Sequence, residues 1–379
     1  MPLTDPIHQV NPSLARISPV WNASVDRDQL AQFERHGFLS YDLDDKLTLL
    51  TLNTVPYALM TAADHVNIGQ PYHVPNTSSV LDPFGQFVWL NATLLRLREA
   101  SRWAFIAGHI PPIVDSNRSQ PQWHSHYIET YQAIVSGYSD VIKAQLFGHV
   151  HSIEARIPLT DVAPIFLSGS ITPKYGNHPS FTVWEYDADT YELLDFTVYA
   201  TRLPTDRKGR RSFDWKPLFR ASTAYALTSR VSSRWTLTEL RDRMRTNQTL
   251  LEAYYDNMKA QGHGRPPCSP SRECRARLLC TMQWWSTREQ LLACIASESG
   301  TPETSKSDDL RRSFSLLLLM AAVVVTVVSY LMLRHGRKYK SKRQSQVIDH
   351  QKLLVDNDSH LNRRPSPGAH NSIVKPLLQ

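Results

Sequence analysis

The chain has 379 residues, enough for one large domain or two ordinary ones, and its 41% hydrophobic and 20% charged content is a globular balance. That balance excludes a disordered, collagen-like or miniature disulfide-scaffold protein. Of 42 Lys+Arg and 35 Asp+Glu residues, ten and three lie after residue 333, which leaves 32 of each before it and puts the whole net charge of +7 in the tail. The body is neutral, and no nucleic-acid partner is expected for it.

From about residue 20 to 200, short apolar runs alternate with amphipathic stretches, the pattern of an α/β fold. In chain order, residues 47–55 (LTLLTLNTV) predict a strand and 87–101 a helix. Residues 103–107 (WAFIA) predict a strand that ends in Gly-His. Helical spacing over 123–141 puts Tyr127, Tyr131, Ile134, Val135 and Tyr138 on one face, where they read as core. Residues 144–147 (AQLF) form a further strand ending in Gly-His, and 164–167 (PIFL) another. Residues 181–186 and 192–199, split by Asp187-Ala188-Asp189, predict a terminal hairpin. Residues 201–218 are basic and irregular, 236–295 read as helices around the cysteines, and 296–313 form a polar stalk. The expected domains are therefore 1–200, 201–295, the stalk 296–313, and two further segments, 314–333 and 334–379.

Residues 314–333 (FSLLLLMAAVVVTVVSYLML) carry no charge over twenty positions, the length needed to cross a hydrocarbon core of ~30 Å. A buried core helix of that length carries a polar stripe, so this run is expected to be a transmembrane helix with the lipid bilayer as its partner. Arg334, Arg337, Lys338, Lys340, Lys342 and Arg343 follow at once, the excess that marks a cytoplasmic flank. Residues 334–379 are then a cytoplasmic tail, and residues 1–313 are luminal or extracellular.

Sequons at Asn22, Asn76, Asn91, Asn117 and Asn247 agree with that placement. So do the four cysteines, Cys268, Cys274, Cys280 and Cys294, which fall in 27 residues and suggest two local disulfides. Their spacing lacks the C-x2-C pair of the competing zinc site. The opening MPLTDPIHQVNPSLARIS has no signal-peptide pattern, and the expectation is that Met1 does not begin a complete precursor. In the tail, Leu353-Leu354 after Asp349 looks like an acidic dileucine signal. It points to a lysosome- or vacuole-like compartment, with the cell surface as the alternative.

Two strand ends carry the chemical signal: Gly108-His109-Ile110-Pro111-Pro112 and Gly148-His149-Val150-His151. Loops leaving the carboxyl ends of strands are where open α/β sheets bind ligands. Glycine there is expected to let the chain turn sharply, so that three imidazoles converge on one place. Imidazole is a neutral ligand for zinc, iron or manganese. His149 and His151, two apart, would point together from an extended segment. His124 and His126 are set aside, because in a helix positions i and i+2 do not share a face. Trp123, Asp115 and Asn117 are expected to shape the leaving-group side of the pocket.

The pair GHIPP and GHVH resembles the second half of the calcineurin-like metallophosphoesterases, in their acid sphingomyelinase and endopolyphosphatase branch. Also similar to that branch are Gly37-Phe38-Leu39-Ser40, Leu52-Asn53-Thr54, the segment Trp123 to Tyr127, Phe166 to Thr172 (FLSGSIT) and Asn177 to Tyr186, so that the likeness covers roughly residues 20–295. The resemblance implies the C-terminal half of an α/β/β/α sandwich over 1–200 and a helical subdomain with disulfides Cys268–Cys274 and Cys280–Cys294. It further implies two divalent metal ions, zinc first and manganese or iron next, with His109 and His149 on one ion and His151 on the other. The reaction would be hydrolysis of a phosphodiester or of polyphosphate.

The family's first half supplies D-x-H, G-D-x-x-D and G-N-H-[DE], and this chain has no Gly-Asp dipeptide. Asp358-Ser359-His360 lies in the tail, and Gly176-Asn177-His178 is followed by Pro179 and reads as loop. The expectation is an active hydrolase in full-length form and no activity in these 379 residues by themselves. The alternative is a non-catalytic membrane glycoprotein that keeps the half-site fold as a binding surface.

Overall fold

Runs of Leu, Ile, Phe and Ala without alternation mark strands covered on both faces. They build a six-stranded sheet from β1 (Leu39–Asp42), β2 (Leu47–Leu52), β3 (Trp103–Gly108), β4 (Ile142–Phe147), β5 (Glu154–Arg156) and β6 (Ile165–Leu167), in the order β1-β2-β3-β4-β6-β5. β2, β3, β4 and β6 run parallel, while β1 and β5 are antiparallel edges. The register sets Leu52 beside Gly108, Gly108 beside Phe147 and Phe147 beside Leu167, so four carboxyl ends finish in one row.

The computed structural model describes residues 12–21, 23–59, 81–202, 213–262 and 264–300, with the backbone of Leu377–Leu378. A second, antiparallel sheet holds β7 (Ser180–Tyr186), β8 (Leu193–Ala200) and β9 (Lys216–Arg220), with Leu377–Leu378 paired to the free edge of β7. Helices α1 (Pro12–Ile17), α2 (Arg27–His36), α3 (Gln86–Glu99) and α4 (Ser125–Ser136) belong to the first half of the chain. After the second sheet come α5 (Ala221–Ala224), α6 (Arg234–Thr246), α7 (Gln248–Asn257), α8 (Arg272–Thr281) and α9 (Arg288–Ser299).

Two cores flank the first sheet. On one face, Leu90, Leu94 and Leu97 of α3 and Tyr127, Tyr131 and Val135 of α4 pack on Leu50, Ile106 and Phe147. On the other, Phe105, Ala144, Leu146 and Phe166 meet Trp184, Leu193, Phe196 and Val198 of the second sheet. Leu237, Leu240, Leu251 and Tyr254 of α6 and α7 join that second core. The result is a mixed α/β fold of helices on sheet on sheet.

Three predicted elements change at their ends. The strand over 47–55 stops at Leu52, because Pro56 opens a 3-10 turn over Val55–Tyr57. The helix over 123–141 is only α4, since the chain turns at Gly137 into β4. The irregular stretch 201–218 runs into a strand, β9, whose pairing with β8 comes from tertiary context rather than from local pattern.

The disulfides Cys268–Cys274 and Cys280–Cys294 are formed, the second tying α8 to α9, and no free cysteine remains for zinc. Among the described residues no helix is long and apolar enough to cross a membrane. The run 314–333, residues 301–313 of the expected stalk and residues 334–376 lie outside them, as do Asn22 and Asn76, whereas residues 296–299, expected as stalk, continue α9 to Ser299. Asn91, Asn117 and Asn247 are exposed.

Candidate functional site

The row of strand ends is drawn tight at Gly108. A Cβ there would lie 2.7 Å from Cε1 of Phe147 and 2.8 Å from Cγ2 of Thr54, so only glycine lets β3 sit this close to both neighbours. The next residues are fixed from each side: the Ile110 amide donates to Thr54 Oγ1 at 2.9 Å, and the Gly148 amide donates to the His109 carbonyl at 3.0 Å. His109 is thereby held beside the end of β4. Its Nε2 stands 3.3 Å from Nδ1 of His149, with the two rings edge-on and 5.1 Å between centroids.

The turn carrying the second motif is not extended, as the sequence had implied, and glycine is not its pivot. His149 itself has φ 71° and His151 has φ 51°, both in the left-handed region. The Val150 amide donates to the Gly148 carbonyl at 2.8 Å, which closes a γ-turn around His149 of the strained rather than the inverse kind. Each left-handed non-glycine residue costs roughly 1–2 kcal/mol, and such strain persists only where surrounding structure holds it.

The structure therefore brings two of the three histidines together. The His151 ring turns toward Tyr175, 5.0 Å away between centroids, and its Nδ1 is buried without a hydrogen-bond partner. No group of three or more His, Cys, Asp or Glu side chains that could hold a metal ion occurs among the described residues. Among the described contacts His109 meets His149, while the His151 ring meets Tyr175. Burial lowers the pKa of His109 from its ordinary value. That of His151 falls through burial first, then through the charges of Lys259, His109 and Lys174. Both are held toward the neutral form, which is the form that binds metal.

Other expected site residues have structural duties. Asp115 accepts from the amides of Asn117 and Arg118 and from Nε2 of Gln122, closing its own turn. Trp123 is wholly buried and donates from Nε1 to the Ile110 carbonyl at 2.9 Å, so it braces the first motif from behind instead of lining a pocket. Asn117 points to solvent. Asn177 donates from Nδ2 to the Ser170 and Thr172 carbonyls, in the loop role expected of it.

Two charged neighbours of the second motif have little signature in the sequence. Glu154, three residues after His151, is buried against Arg156 at 2.8 Å and accepts from Ser116 Oγ. Lys259 reaches back more than a hundred positions to the His151 carbonyl. Neither has a local signal, although a charged E-A-R triplet in an otherwise apolar segment is a hint of an internal pair.

In kind, the donors fit a divalent metal: two adjacent imidazoles, His109 and His149, and a third, His151, with a buried nitrogen left open. In number, they are short of a complete site.

No family model matches the chain. Individual proteins do. The sphingomyelinase phosphodiesterase D of Dictyostelium discoideum is 28% identical over 268 residues, 67% of this chain and 56% of that protein. The acid sphingomyelinase-like phosphodiesterase 3b of Homo sapiens is 24% identical over 257 residues, 63% of this chain and 53% of that protein. The chain is homologous to acid sphingomyelinase-like phosphodiesterases. It spans about half the length of the curated relatives it matches. Among solved structures, a dimetal phosphatase from Danio rerio aligns at 12% identity with a TM-score of 0.28, over 48% of this chain and 61% of that one. A score that low describes a partial overlap of elements and says nothing of chemistry.

Proposed function

We propose that the chain carries the histidine part of a metal-dependent phosphodiesterase site, with His109 and His149 on one divalent ion and His151 on a second. The observation that supports this most is the contact of His109 with His149 across the ends of two neighbouring parallel strands, in a turn that is strained to make it. When bound, such ions polarise a phosphoryl oxygen and acidify a bound water. The chain's own share is to supply neutral nitrogen donors and to keep them at the rim of the sheet. Zinc is the ion we assign first, with manganese or iron suited to the same donors. The substrate class is a phosphodiester such as sphingomyelin, by analogy with the relatives, with polyphosphate next.

Three imidazoles are too few for two ions and offer no general acid. Turnover therefore needs carboxylates from beyond the described residues. The test is calorimetric titration of the purified chain with Zn2+, followed by a sphingomyelin hydrolysis assay. Binding that is lost in H149A, without turnover by the chain alone, is the expected result; a wild-type chain that binds no Zn2+ sinks the proposal.

One observation favours the second reading, a non-catalytic glycoprotein: Asp115 and Glu154, the acids nearest in sequence to the two motifs, are both committed to structural partners. Metal-dependent phosphodiester hydrolysis by the full-length gene product, abolished by H109A, would end it.

We also propose a single-pass membrane topology, with the described domain luminal or extracellular. The charge-free run 314–333, its basic flank and the two disulfides support it. Pairing of Leu377–Leu378 with β7 and a cytoplasmic tail exclude each other. An epitope placed after Gln379 decides between them: antibody access once the plasma membrane alone is opened supports the span, and access in intact cells, or only after the organelle membranes are opened too, removes it.

A further inference from the structure

Lys259 lies in the turn after α7, far in sequence from both histidine motifs, and its side chain turns to the second of them. Its ammonium donates to the His151 carbonyl at 2.7 Å and reaches the Val150 carbonyl at 3.5 Å. The adjacent Met258 carbonyl accepts from the Ile153 amide at 2.8 Å, and the Lys259 carbonyl accepts from the His178 amide at 3.2 Å. Residues 258–262 thus grip two loops at once, the histidine turn and the loop through Asn177 that carries Tyr175 near His151.

The grip is itself rigid. Ala260 and Gln261 hold φ of 48° and 56°, and a Cβ on Gly262 would fall 1.9 Å from the Gly176 carbonyl oxygen. A charged donor on a main-chain oxygen is roughly twice as strong as a neutral one. It also acts where the strain resides, since it fixes the peptide on the far side of the γ-turn rather than an imidazole.

We propose that Lys259 is a positioning residue, whose ammonium latches the left-handed turn His149–His151 in the backbone conformation that sets His149 against His109. Its consequence for metal binding rests on the function proposed above; its consequence for the turn does not. The ammonium makes no contact with substrate or metal in this role.

Hydrogen–deuterium exchange on the full chain separates the two. In K259M, the amides of Val150 and Ile153 exchange faster by about tenfold or more, while those of β7 and β8 keep wild-type rates. K259R, which keeps a charged donor, restores slow exchange in the turn. K259A, which places no apolar terminus against the polar turn, carries the same comparison if K259M fails to fold. Unchanged rates at Val150 and Ile153 in the substituted chain, or a rise spread evenly over the domain, overturn the latch. Addition of Zn2+ to the wild type slows exchange over residues 148–153 if the metal reading holds. A wild type that ignores Zn2+ but loosens in K259M keeps the latch and removes the metal.

Discussion

Two consecutive segments, 148–152 and 153–157, place ionisable groups a few residues apart and treat them in opposite ways. In the first, His149 and His151 sit on strained backbone at the rim, and His151 Nδ1 has no partner. In the second, Glu154 and Arg156 lie on a regular strand with side chains only 1% and 2% exposed, closed on each other. Nε and Nη2 of Arg156 are also buried without a partner, so what separates the segments is backbone strain and a mutual ion pair: the second has the pair on a regular strand, and the first has imidazoles on left-handed backbone. The contrast can be broken or sharpened by substitution.

The largest effect is expected at Glu154. E154Q leaves the Arg156 guanidinium charged and buried without its partner, a change that costs about 3–5 kcal/mol. Urea unfolding at neutral pH measures it, and a loss under about 1 kcal/mol would mean that the pair is not closed as described. The pH dependence gives the sign independently. Burial by itself raises the Glu154 carboxyl, but the Arg156 charge and the Ser116 hydroxyl outweigh it, so the folded pKa lies below the ordinary 4.5. A depressed folded pKa contributes stability above the unfolded value and loses it as pH falls through the folded one. The stability gap between wild type and E154Q should be flat at neutral pH and narrow only below about pH 4.5.

Next comes the floor of the site. G108A pushes a methyl into Phe147 and Thr54, and overpacking of this kind costs about 1–3 kcal/mol. It also displaces His109 from His149, so Zn2+ binding falls together with stability. Wild-type Zn2+ affinity in a destabilised G108A would show that the His109–His149 contact does not matter to the metal.

Much of this arrangement was legible along the chain. Strands β3 and β4, each closed by Gly-His, and the cysteine-bearing helices follow from apolar run length and from spacing, which are local properties. The conformation of the histidine turn was not legible, because glycine before histidine suggested that glycine would take the left-handed angle, and tertiary contacts placed it on His149. The Glu154–Arg156 pair and Lys259 were scarcely legible for a related reason. The E-A-R triplet only hints at an internal pair and an isolated lysine looks like surface, and only folding brings Ser116 and the 150–151 carbonyls to them. Asp115 misled in the opposite sense, since an acid beside a histidine motif suggests a pocket wall until its turn amides are counted.

A smaller effect tests the strain directly. Replacing His149 by Ala or by Gly removes the imidazole equally, but only glycine is at ease at φ 71°. H149G should therefore be more stable than H149A by about 0.5–1 kcal/mol, after glycine's greater unfolded-state entropy is set against the roughly 1–2 kcal/mol of left-handed strain. Equal melting temperatures would mean that the turn relaxes once the ring is gone.

The smallest effect belongs to the other histidine pair, and it shows what proximity alone is worth. His124 and His126 have ring centroids 5.9 Å apart, scarcely farther than the 5.1 Å of His109 and His149. Their backbone, however, is the start of an ordinary helix, and His126 packs its ring on Tyr127 at 3.9 Å. Nothing in that geometry is held against a cost, so no ligand is needed to explain it. H124A with H126A should leave Zn2+ binding unchanged and stability within about 0.5 kcal/mol. A loss of Zn2+ binding in that double variant would show that ring proximity, and not the strained turn at the strand ends, is what marks the metal site in this fold.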